Sequence, residues 1–100
     1  MESKELIEEE YQRKVKNDTA QIFKNIGEQI DLICATYNNS FDAQLDIYIN
    51  LTTLLLSCAY FCLRRRVGEE HFNIEANHVT NEIIEEALRI SKLDLEVKKQ

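Results

Sequence analysis

The stretch IYINLTTLLLSCAYFCLRRR, residues 47–66, decides the fold. Seventeen uncharged residues run from Ile47 to Leu63 and end on Arg64, Arg65 and Arg66. Such a segment is either a membrane span stopped by positive charge or a core helix that needs cover. At the α-helical rise it is about 25 Å long, short of the roughly 30 Å hydrocarbon layer of a bilayer. Its polar residues decide more than its length. Asp42, Asp46, Asn50, Thr53, Ser57, Tyr60 and Arg64 recur at steps of three and four, which places them in one narrow stripe. That stripe predicts a helix with one edge near water and the rest of its circumference buried. The N-terminal side also lacks the aromatic belt of a membrane helix. The expected element is therefore a soluble helix from about Phe41 to Val67, with a membrane span as the alternative.

Outward from this segment the punctuation is sparse. On its N-terminal side, Tyr37-Asn38-Asn39-Ser40 reads as a stop and restart. Asparagine tolerates the left-handed conformation, and Ser40 can cap the helix that follows. Asp42 and Asp46 near its start and the three arginines at its finish suit the helix dipole, and Gly68 stands just past its end. Upstream, Ile7, Tyr11, Val15, Ile22, Ile26, Ile30, Ile33 and Tyr37 recur at helical spacing, with Thr19 in the one gap and Leu6 and Phe23 widening the stripe. A first helix is expected over about 3–37, with Asn17-Asp18-Thr19 or Gly27 as weak points. Downstream, GEEHFNIEAN (68–77) reads as a loop into a third helix around His78 to Ile90, whose buried face is Val79, Ile83, Ala87 and Ile90.

The totals agree with an all-α chain. Its 100 residues contain no proline and two glycines, with 44% hydrophobic and 30% charged residues. This length bounds the fold to a single helical domain. The net charge of −6 argues against a freestanding nucleic-acid binder, whose affinity would come from lysine and arginine. The three cysteines are odd in number and without a repeated spacing, and Met1 is followed by ESKELIEEE rather than a basic start and apolar run. Reduced thiols in a nuclear setting, or alternatively a cytoplasmic one, are the expectation.

A long helix apolar around most of its circumference needs neighbours on several sides, more than two further helices supply. Exposed in a monomer, the face with Leu51, Leu54, Leu55, Cys58 and Cys62 would drive aggregation. The chain is expected to be a subunit with an obligate protein partner, and Ile47, Leu51, Leu54, Leu55, Cys58, Phe61 and Cys62 are the expected interface.

Two families resemble the chain. A helix, a long central helix and a further helix is the layout of the histone fold, in which two chains clasp through crossed central helices. AQLDIYINLTTLLLSCAYFCLR and FNIEANHV, the latter with Ile74, Glu75, His78 and Val79, resemble the central helix and third-helix entry of the centromere protein X family. The likeness covers about residues 20–90. The run VGEEHF and the segment EEALRISKLDL depart from that family's short loop and terminal leucines. It implies a histone-like core over 20–92, an N-terminal helical extension over 1–19 and a tail over 93–100. It also implies a more basic small helical partner, chromatin association, and phosphate contact at Arg64, Arg65 and Arg66. The competing account of those arginines is dipole completion with salt bridges to Glu69 and Glu70. The second resemblance lies in SKELIEEEYQRKVKNDTAQIFKN (3–25), which is similar to the start of the Surfeit-5 family, subunit 22 of the Mediator head. It implies a transcription-coactivator subunit forming the helical-hairpin half of a four-helix bundle.

No enzyme signature is present, and no cofactor is expected. Cys58 and Cys62, one turn apart, could be joined with His71 and His78 as a zinc set, but the spacing matches no ligand pattern. Small residues at a close helix contact are the expectation for both thiols, and no metal site is expected.

Overall fold

The computed structural model describes the backbone of residues 3–99 and the side chains of residues 3–93. The fold is all-α: α1 is Lys4–Ala35, α2 is Phe41–Val67 and α3 is Glu69–Lys99. The chain forms two compact units that divide after Leu51.

In the first unit α1 runs unbroken for 32 residues. Ser3 caps it, its Oγ accepting the Leu6 amide at 3.2 Å. The expected weak point near Thr19 holds its helical geometry. The Thr19 hydroxyl donates to the Val15 carbonyl at 2.7 Å, and Lys14 pairs with Asp18 one turn along at 2.8 Å. That hydrogen bond, with the charge of Asp18, raises the Lys14 ammonium above the ordinary lysine pKa. The helix stops where Asn38 and Asn39 take positive φ, 57° and 55°, and the Asn39 amide turns back to the Cys34 carbonyl at 3.0 Å. Ser40 then starts α2, accepting the Ala43 amide on its Oγ at 3.4 Å. Ile30 and Cys34 are buried, and Ile26, Ala43, Ile47 and Leu51 are half-buried around them.

The second unit folds α3 back along the remainder of α2 through a single residue, Gly68. Its φ of 82° is a left-handed value that strains any residue with a Cβ, although open space surrounds the position. Its amide donates to the Arg64 carbonyl at 2.9 Å, closing α2. Gly68→Ala is expected to lower the thermal stability of this hairpin by about 1–2 kcal/mol. A melting curve followed by circular dichroism checks it, and an unchanged midpoint would show that the turn relaxes.

Here the structure corrects the sequence reading. Residues 69–77 form the first turns of α3 rather than a loop, so the third helix begins nine residues before His78. Glu69 and Glu70 lie in its first turn, where negative charge is favourable, and nothing in HFNIEAN breaks a helix. Among the described residues of α3, Phe72 and Ala76 are buried and Val79 and Thr80 half-buried. Of the expected buried face, Val79 is half-buried, and Ile83, Ala87 and Ile90 are exposed. Every described side chain from Asn81 to Leu93 is exposed. The seam between α2 and α3 is thus Leu56, Tyr60, Leu63 and Val67 against Phe72, Ala76, Val79 and Thr80, residues spaced by three and four on both helices.

Candidate interaction surface

Tyr60 and Arg64 belong to the polar stripe that was expected to lie near water. Both instead turn their apolar bodies onto α3. The Tyr60 ring meets Phe72 edge-on with centroids 5.8 Å apart, and its hydroxyl shares a hydrogen bond with Thr80. The Arg64 guanidinium lies 4.0 Å above the Phe72 ring, and its Nε pairs with Glu69 at 2.8 Å. Amphipathic side chains of this kind bury their stems or rings and keep a polar tip partnered.

This arrangement divides the three arginines. Arg64 is engaged with Phe72 and Glu69, Arg65 stands 5.8 Å over the exposed Phe61 ring, and Arg66 is exposed. Arg65 and Arg66 project into solvent at the C-terminal end of α2, where positive charge is favoured.

Of the seven expected interface residues, Ile47 and Leu51 are half-buried and line a groove of the first unit with Ile26, Ile30 and Ile33 of α1. The other five stay uncovered. Leu54 is 64%, Leu55 53% and Phe61 62% exposed, and Cys58 and Cys62 are exposed free thiols. At about 100° per residue these five fall within one third of the circumference of α2, forming a continuous apolar strip. The strip carries no charge from Leu54 to Leu63, so water gains nothing from it.

The best window of α2 has a mean hydropathy of 1.4, and by length and composition the helix could also cross a membrane.

Among the described residues no three histidine, cysteine or acidic side chains gather in a way that could hold a metal ion. Cys34 is buried in the first unit, whereas His71 and His78 are exposed on α3. The seam partners Phe72 and Thr80 escaped the sequence reading, although Phe72, Ala76, Val79 and Ile83 carry the helical spacing that could have found them. No family model matches the chain, and no match is found among curated proteins or solved structures.

Proposed function

We propose that the chain is a non-enzymatic subunit of a heteromeric nuclear complex and that it joins its partner by burying the Leu54–Cys62 strip of α2. One observation carries this reading: the middle of a 27-residue helix presents five apolar or thiol side chains that its own chain leaves uncovered. The net charge of −6 favours a partner more basic than this chain. In the histone-like form of the proposal, α2 crosses the partner's central helix, and DNA is met only through the pair. Arg65 and Arg66 then supply the phosphate contacts on this side, since Arg64 is held by Glu69. The nuclear and chromatin setting rests on the resemblance over 20–90.

A second reading, the coactivator bundle, gains support from α1, whose apolar residues Leu6, Ile7, Tyr11 and Val15 are all exposed on an unbroken helix. The two readings part on one experiment. Removing residues 1–19 leaves partner capture intact if α2 carries the interface and abolishes it if α1 does. An alkaline wash of a membrane fraction tests the remaining alternative, because a soluble subunit is released and a spanning α2 stays in the pellet.

A further inference from the structure

We infer that the first half of α1 is a self-association surface, on which two copies of the chain pair antiparallel through residues 4–18 with Tyr11 on the two-fold axis. This surface is separate from the α2 strip, and the inference does not rest on the partner proposed for that strip.

Every described side chain from Ser3 to Asn25 is exposed, so nothing in the first unit covers this half of the helix. It nonetheless carries an apolar line: Ile7, Tyr11 and Val15, one turn apart, are 55%, 59% and 41% exposed. Isolated helices of this length are marginal in water, and an amphipathic helix gains most of its stability from packing that face. The charges around the line identify the occupant. At about 100° per residue, Ile7 and Val15 lie about 40° to either side of Tyr11, and Lys4 and Asp18 about 20° to either side. Glu10 and Lys14 lie together on one flank, about 100° and 60° from Tyr11.

A two-fold axis through Tyr11 sets like positions of an antiparallel pair on the same side. It brings Tyr11 against Tyr11 once on the axis, and Ile7 against Val15 of the second copy, Lys4 against Asp18, and Glu10 against Lys14, each of these occurring twice. The segment is thus complementary to itself when reversed. A parallel, in-register pair would instead set Lys4 against Lys4 and Asp18 against Asp18 near the centre of the contact. The paired segment is about 22 Å long, so its interface is small and a weak, concentration-dependent dimer is expected.

The test is thiol cross-linking of the full chain under mild oxidation, without detergent, with the wild-type chain as control for its native cysteines. Tyr11→Cys is expected to give a disulfide-linked dimer whose linked peptides map to the introduced thiol on both chains. Ile7→Cys alone is not, because its two copies stand about 12 Å apart along the axis, beyond disulfide reach. Mixing Ile7→Cys with Val15→Cys chains restores the link. Lys14→Glu in the Tyr11→Cys chain is expected to weaken dimerisation about tenfold, through two repulsive contacts. Adding Glu10→Lys recovers it, although the intrahelical contact with Asp18 stays lost. Equal cross-linking of Ile7→Cys alone, no link through Tyr11→Cys, or no recovery in the double charge variant would each overturn the antiparallel pair.

Discussion

Leu55→Asp is expected to abolish partner binding while leaving the isolated chain folded. Leu55 is 53% exposed in the chain by itself, so a carboxylate there stays in water and the helical signal and melting midpoint remain near wild type. In the proposed complex the same position lies within the buried strip. An ionised carboxyl without a partner is costly in such a place, and the cheaper route is protonation. At pH 7 that costs about 4 kcal/mol from the ordinary aspartate pKa, roughly a thousandfold in affinity. At pH 5 the same protonation costs about 1.5 kcal/mol, so binding by the variant recovers in part as pH falls. Titration calorimetry or surface capture at both pH values checks this. Equal affinity of variant and wild type at pH 7 would remove α2 from the interface.

Phe72→Ala is expected to have the opposite pattern, unfolding the second unit whether or not a partner is present. Phe72 is one of the two buried residues among the described residues of that unit, and Tyr60 and Arg64 both pack on its ring. Truncating a buried phenylalanine costs about 3–5 kcal/mol. That is comparable to the whole stability of so small a hairpin. Loss of the ring also leaves the Arg64 guanidinium without the face it lies on. A fall in helical content of about half is the expected readout in circular dichroism, with α1 retained. A melting midpoint within a few degrees of wild type would show that the Tyr60–Thr80 contact and the apolar seam suffice without the ring.

The sequence and the structure agree where punctuation is strong. Asn38-Asn39-Ser40 and Gly68 bound α2, because asparagine and glycine accept positive φ and serine caps. The absence of proline made a helical chain legible from composition. Two features were hidden for the same physical reason: polarity is a poor guide to which way an amphipathic side chain turns. Glu69, Glu70 and His71 read as a loop, yet acidic residues also suit a helix N-terminus. Tyr60 and Arg64 read as part of a wet stripe, yet their ring and stem pack on Phe72. The exposed α2 strip was legible because a run of leucines at helical spacing has a surplus of apolar faces whatever the neighbours are. What the proposal places against it was not, since a partner's residues are absent from this chain's sequence.

The most direct test of the α2 interface is the rate at which thiols are alkylated in a detergent-free soluble extract of the source cell. Cys58 and Cys62 sit in the strip and are exposed in the chain alone, whereas Cys34 is buried in the first unit and reports whether that unit stays folded. The account predicts that Cys58 and Cys62 are protected in the native assembly and label rapidly in the isolated chain, with Cys34 slow in both. Rapid labelling of Cys58 and Cys62 in the native extract, with Cys34 still protected, would contradict it.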